Sequence, residues 1–296
     1  MRILITGGTG FVGAALKQFL LSQGHEVVIL SRSGGDFQWD VSYGYLDPAA
    51  FEGVDAIVHL AGAGIAEERW SAARKRELIN SRVRSTAVLY QALSTIPHSI
   101  KTVISASAIG YYGADTGEVL CTEDSPAGLD FLADCTKQWE EAVDQISSLG
   151  IRLAKVRIGL VMSAHGGIFP VISKPIRYGL GANLGSGKQW QSWIHIKDLV
   201  RIFNELLINS SLSGVYNGVA PEPIRAGEMN KQMAKALHKP FFLPAIPGFL
   251  LRFVLGEMAC LVLGGSRVSS AKFEKDASFS FTFVRFEEAL KELVHV

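Results

Sequence analysis

Met1-Arg2-Ile3-Leu4-Ile5-Thr6-Gly7-Gly8-Thr9-Gly10-Phe11-Val12-Gly13 is the stretch that decides the fold. A short apolar run breaks into a cluster of glycines. A helical pattern follows from Ala14 to Ser22, then a turn at Gly24-His25, then a second apolar run, Val27-Val28-Ile29-Leu30, ending at Ser31-Arg32. The order is strand, glycine turn, helix, strand: a βαβ unit that starts at the first residue. Such a turn sets bare backbone N–H groups and the positive end of a helix against a phosphate. A glycine fingerprint alone is a weak signal. Between a strand and a helix, with a second strand at the right distance, it is a strong one.

Further strands follow at the spacing of repeated βα units. Val54 to Gly62 is apolar on both faces, as a central parallel strand is. Thr102-Val103-Ile104-Ser105 runs into Ala106-Ser107-Ala108-Ile109-Gly110-Tyr111-Tyr112-Gly113, and Ile151 to Gly159 reads as another strand. Residues 66–94 and Phe131 to Ser148 read as the helices between them. This alternation predicts an α/β protein with a Rossmann-type, doubly wound parallel sheet. Ligands of such sheets bind at the carboxyl ends of the strands. The glycine turn, Arg32, Leu60-Ala61-Gly62 and Ser105 to Tyr112 all lie at such ends and are expected to converge.

From about residue 163 the chain becomes loop-rich. Strands are predicted at Trp193 to Ile196 and Val215 to Val219, and helices near 227–237, 245–264 and 286–294. We expect a dinucleotide-binding domain over residues 1–162 and a smaller α+β substrate-binding lobe over 163–296. The lobe carries a distinctive C-terminal segment from about 240 to 296, and the whole forms one structural unit. Pro247, Arg252 and Glu257 interrupt the apolar run at 245–264. A span needs roughly 20 uninterrupted apolar residues, so a buried helix pair is expected there and no membrane span.

The chain has 296 residues, 48% hydrophobic and 19% charged, which is the composition of a folded globular protein with a sizeable core. A net charge of +1 gives no electrostatic argument for nucleic acid or an anionic membrane. Cys121, Cys135 and Cys260 are odd in number and widely spaced, so neither a disulfide framework nor a zinc site follows. No His, Cys, Asp or Glu cluster has metal-ligand spacing. The N-terminus reads as a core strand rather than a signal peptide. A reducing, cytoplasmic setting is therefore expected.

In a dinucleotide-binding βαβ unit, an acidic residue at the end of the second strand holds the ribose 2′-hydroxyl of NAD, and an arginine nearby accommodates the 2′-phosphate of NADP. Here that position reads Ser31-Arg32-Ser33, with no carboxylate. A guanidinium clamps a phosphate well, with hydroxyls beside it, so the expected cofactor is NADP(H). Asp40 stands as either an acceptor for the adenine amino group or a turn cap.

These residues resemble the extended short-chain dehydrogenase/reductase family. Its Thr-Gly-x-x-Gly-x-x-Gly pattern is matched by Thr6, Gly7, Gly10 and Gly13, with Phe11 and Val12 between the last two glycines. Its fourth-strand end is matched by His59-Leu60-Ala61-Gly62, its serine segment by Ser105-Ala106-Ser107 and Tyr111-Tyr112-Gly113, and its aromatic-Ile-His-x-x-Asp motif by Trp193 to Asp198. More narrowly, Trp139-Glu140, Gly185 to Trp190, Asn217 to Pro221 and Gly256-Glu257-Met258 resemble the epimerase subgroup of nucleoside-diphosphate-sugar epimerase-like proteins. The likeness covers nearly the whole chain.

The resemblance implies chemistry by a serine, a tyrosine and a lysine, the last two as Tyr-x-x-x-Lys, with hydride carried by the nicotinamide. Ser107 is the candidate serine. Lys137 is the only lysine on the expected helix, where it would also hold the nicotinamide ribose. Four residues before it stands Ala133 rather than tyrosine. Three alternatives stay open: Tyr111 or Tyr112 supplies the phenol; Asp134, Cys135 or a substrate group handles the proton; or the protein binds NADPH as a sensor and does little chemistry. Trp190, Gln191 and Ser192 stand where sugar-nucleotide epimerases carry an arginine, which weakens the case for a uridine-diphosphate sugar and leaves it open. Trp190 and Trp193 are expected to form an apolar wall, against a small-molecule substrate, with His195 capping or packing beneath it. The resemblance also favours a homodimer through helices beside the sheet.

Overall fold

The computed structural model describes residues 1–294; the last two residues of the expected 240–296 segment lie outside it. Eight strands form the main sheet: β1 (Arg2–Thr6), β2 (Glu26–Ser31), β3 (Phe37–Asp40), β4 (Tyr45–Leu46), β5 (Ala56–His59), β6 (Thr102–Ala108), β7 (Arg152–Ile158) and β8 (Gly214–Gly218). Their order is β8-β7-β6-β5-β1-β2-β3-β4, and every neighbouring pair is parallel except β3 with β4. The chain winds outward from β1 to β4, then returns to the other side of β1 and winds outward again. The order reverses between β1 and β5, where a doubly wound sheet opens its ligand crevice.

The central strands are fully buried, with Ile3, Leu4, Ile5, Ile57 and Val58 all at 0% exposure. Both faces are therefore covered, as a parallel sheet requires. Helices α1 (Phe11–Ser22), α2 (Ala72–Thr95), α3 (Phe131–Asp144), α4 (Phe169–Arg177), α5 (Ile196–Ile208) and α6 (Ala226–Ala236) follow in chain order. Helices α1 and α5 pack together, and α2 packs on α3. Side chains cap three of them. Ser71 accepts from Arg74 N, Asp130 from Leu132 N and Ala133 N, and His195 from Lys197 N. Helix α1 instead starts at Gly10 with no side-chain cap.

The second lobe has its own core, including Phe169, Trp193, Met229, Met233 and Phe286. The chain still crosses back: β8 and α5, both beyond residue 163, complete the main sheet and its cover. The apolar run at 245–264 departs from the expected buried pair. Helix α7 (Gly248–Leu255) has no buried residue, and Phe249 and Phe253 are 73% and 81% exposed. Gly256, at φ +61°, breaks the run after two turns. A 3-10 turn and a short helix, α8 (Cys260–Leu263), then carry Cys260 and Leu261 back against Trp70 and Leu78. Among the described residues, no helix is long and apolar enough to cross a membrane.

Candidate functional site

The glycine turn at the end of β1 is built by backbone rather than side chains. Gly7 has φ +70°, and a Cβ there would lie 2.8 Å from the Leu60 carbonyl carbon. A Cβ on Gly13 would lie 2.4 Å from the Gly7 oxygen. Neither position has room for a side chain, and the obstructing atoms are backbone. Gly10 N donates to Gly7 O at 3.0 Å, which closes the turn. The first amides of α1, at Phe11, Val12 and Gly13, are left without intrahelical acceptors. With no acid in the first turn, the helix end keeps its positive potential. This cradle fits a pyrophosphate.

Around it, Thr6 is fully buried. Its hydroxyl lies 2.7 Å from His59 Nδ1 and accepts from Leu60 N and Ala61 N at 3.2 and 3.3 Å, tying the ends of β1 and β5 together. Thr6 thus holds Leu60-Ala61-Gly62 in place from beneath. Burial holds the His59 imidazole neutral, its pKa lowered to about 4. At the end of β2, the Ser31 hydroxyl donates to Ser33 O at 2.5 Å. Arg32 is exposed and, among the described residues, has neither a hydrogen-bond partner nor an ion pair. The Asp40 carboxylate accepts from Ser42 N and Tyr43 N at 2.8 and 3.2 Å, the turn-cap alternative of its two readings.

A cavity of about 270 Å³ lies beyond the ends of β6 and β7, between the two lobes. Ala108 at the end of β6 and Ile109 and Gly110 in the turn after it line the cavity on one side; Trp190 to Ser192 and Gly264 to Ser266 line it from the second lobe. Helix α3 presents Leu132, Cys135, Thr136 and Trp139, the one-faced stripe of an i, i+3, i+4, i+7 pattern. Trp190 reaches the cavity, but Trp193 is fully buried against Phe286, so the two do not form the expected wall. His195 caps α5, its Nδ1 accepting from Lys197 N.

The three expected catalytic residues lie elsewhere. Ser107 is 3% exposed, and its hydroxyl donates to Glu140 Oε1 at 2.5 Å rather than into the cavity. Strand alternation places Ser107 on one face and Ala108 on the cavity side. Tyr111 lies flat over Arg157, whose Cζ is 3.4 Å from the ring centroid. Lys137 points to solvent, 58% exposed and 3.8 Å from Glu141. Helical geometry explains it: the four-residue pair of α3 that faces the cavity is Leu132–Thr136, one position before Ala133–Lys137. Ser105, also expected near the cofactor, is fully buried and donates to Ala106 O.

Behind the cavity lies a buried ionic network that the sequence signals only through the Trp139-Glu140 pair. Arg157 grips Glu140 with two nitrogens, at 2.8 and 2.9 Å, and Lys155 lies 3.6 Å away. Arg157 also donates to Tyr112 Oη at 3.0 Å, and Tyr112 donates to Asn217 Oδ1 at 2.7 Å. Burial would raise Glu140, but Arg157 and Ser107 hold its carboxyl below the usual range. Burial pushes the Tyr112 phenol up to about 12 against the pull of Arg157. Among the described residues, no group of three His, Cys, Asp or Glu is placed to hold a metal.

Residues 3–217 match the family model described as the NAD-dependent epimerase/dehydratase family, and residues 246–293 match one described as a domain of unknown function, DUF1731. An Arabidopsis thaliana relative, the chloroplastic homolog of the epimerase family protein SDR39U1, is 36% identical over 99% of this chain and 87% of its own. The Bacillus subtilis epimerase family protein YfhF is 32% identical over 99% of this chain and 98% of its own. The crystal structure of human SDR39U1 with NADPH superimposes with a TM-score of 0.88 at 33% identity, covering 99% of both chains.

Proposed function

The chain belongs to the NAD-dependent epimerase/dehydratase family, and from that premise we propose that it holds NADP(H) along β1–α1–β2 and acts on a small, largely apolar carbonyl or hydroxyl compound. The observation that carries the cofactor reading is the uncapped, uncharged start of α1, sealed by Gly7 and Gly13, with the unpartnered Arg32 at the end of the next strand. Arg32 has no partner of its own to give up and can meet a 2′-phosphate. The human relative bound to NADPH supports the same preference. Bound there, the nicotinamide supplies or accepts hydride. The chain's part is to bind, orient and exclude water: the cavity walls are mostly apolar, and its polar groups are few.

A specific observation favours a second reading, an NADPH-binding sensor with little catalysis. The residues of the β6 end and of α3 that face the cavity are Ala108, Leu132 and Thr136, not Ser107, Ala133 and Lys137. The Thr136 hydroxyl is already engaged with Leu132 O at 2.8 Å. Cys135, the thiol alternative, does line the cavity, whereas Asp134 is exposed. Burial raises the Cys135 thiol, with Arg82 opposing, so it stands as a neutral proton donor.

One experiment separates the readings. Deuterium-labelled NADPH is incubated with the protein and a panel of carbonyl compounds, and label is sought in the products. Transfer establishes the oxidoreductase. Tight NADPH binding without transfer across the panel establishes the sensor, and failure to bind NADPH overturns both. The reducing, cytoplasmic setting belongs to the same proposal, and the three cysteines are all free thiols. So does the homodimer, which light scattering measures.

A further inference from the structure

Arg82, on α2, is, among the described residues, the only charged side chain that lines the cavity. Its guanidinium donates to two main-chain carbonyls, Leu78 O at 2.8 Å and Ala63 O at 3.0 Å, and lies 5.1 Å from the Trp139 ring centroid. Among the described residues it makes no ion pair with any carboxylate. Beside it, Trp139 is 6% exposed, and its Nε1–H has no acceptor. A buried donor without a partner and a partly buried cation without a counterion are each costly. Both residues line the cavity, and the Arg82 guanidinium lies beside the Trp139 ring.

The other polar groups of the cavity do not meet this need. Its three hydroxyls are committed within the protein: Thr136 to Leu132 O, Ser192 to Ser266 O at 2.7 Å, and Ser266 to Gly113 O at 3.0 Å. Among the described residues, no aspartate or glutamate lines it. The Gln191 amide, which also lines the cavity, can serve as donor or acceptor, and the one uncompensated charge is the Arg82 cation, the complement of an anionic oxygen pair.

We infer that the cavity takes a carboxylic acid, its carboxylate seated on Arg82 beside the Trp139 ring and its apolar body against Ile109, Leu132, Leu160 and Trp190. This deepens the substrate class proposed above and rests on the cavity being the substrate site. Arg82 also lies against Gly62, where a Cβ would come within 3.3 Å of its Cζ. A cofactor phosphate is therefore the other anion this chemistry would accept, and the test separates the two.

Benzoate and its neutral isostere benzamide are titrated calorimetrically into the protein with and without saturating NADPH. Benzoate is expected to bind about tenfold or more tighter than benzamide, the worth of a charge-assisted pair. Arg82→Met brings that ratio close to one, Arg82→Lys keeps most of it, and NADPH affinity stays within about threefold in both. Equal binding of the two probes, or no binding of either, overturns the inference. So does an Arg82→Met protein that keeps its preference for benzoate but loses NADPH, since the anion is then the cofactor's. If Arg82→Met does not fold, Arg82→Gln decides, and a benzoate preference that survives it overturns the inference. A benzoate preference in protein that fails to bind NADPH would sink the cofactor reading while leaving the acid site standing.

Discussion

The phosphate turn and the cavity lie at the same edge of one sheet but are built from different material. The turn is backbone: two glycines whose missing Cβ atoms leave room for nothing else, and a helix start that nothing caps. The cavity is side chains, and what each supplies depends on which way one strand and one helix face. The turn therefore tells what is held. On the cavity side, β6 and α3 present Ala108, Leu132 and Thr136 rather than Ser107, Ala133 and Lys137, and among the described residues no tyrosine or lysine lines it. Binding and chemistry are separable in this fold, and each side of the comparison can be broken on its own.

The largest effect is expected behind the cavity. Glu140→Ala leaves Arg157 buried without its carboxylate, while Lys155 keeps Asp144 at 2.6 Å, and should cost roughly 3–5 kcal/mol of stability in a urea titration. A cost below about 1 kcal/mol would mean the network is solvated and Ser107 is free to act elsewhere. Gly13→Val attacks the other side. Its Cβ would meet backbone, so NADPH affinity should fall by about 100-fold, a loss of roughly 3 kcal/mol, while the cavity probes still bind.

The pH dependence of stability tests the junction between the two regions. His59 titrates near 6.5 when unfolded and near 4 when folded, so the unfolded chain takes up the proton first as the solution is acidified. The contribution of its neutral, buried state is fully present above pH 6.5. It is lost as pH falls from 6.5 through about 4, by roughly 3 kcal/mol. His59→Asn should flatten that limb of the curve, and an unchanged slope would contradict the assignment. The smallest effect is expected at Lys137→Ala: stability within about 0.5 kcal/mol and NADPH affinity unchanged. A tenfold loss of NADPH affinity there would return the lysine to the site.

The legibility of these features in the sequence divides along the same line. The βαβ unit, the parallel sheet and the cradle could be read because sterics at Gly7 and Gly13 and the apolar runs of β1 and β5 leave few alternatives. Lys137 misled because a helix turns about 100° per residue, and one position separates the cavity face from solvent. Ser107 misled because strand alternation puts Ala108, not its neighbour, toward the cavity. Arg82 carried no signal of its own. Its role depends on Gly62 and Trp139, which lie 20 residues before it and 57 after it in the chain and meet only in three dimensions. Helix α7 looked like core because composition reports apolarity, not what is available to cover it.

The central claim, that this chain is built to hold NADP(H) through a bare helix start and Arg32, is tested most directly by calorimetric titration of NADPH and NADH into the native protein and Arg32→Ala. The account predicts that the native protein prefers NADPH by about tenfold or more and that the substitution removes this preference while leaving NADH affinity in place. Equal affinity of the native protein for the two cofactors, or an equal loss of both in Arg32→Ala, would contradict it.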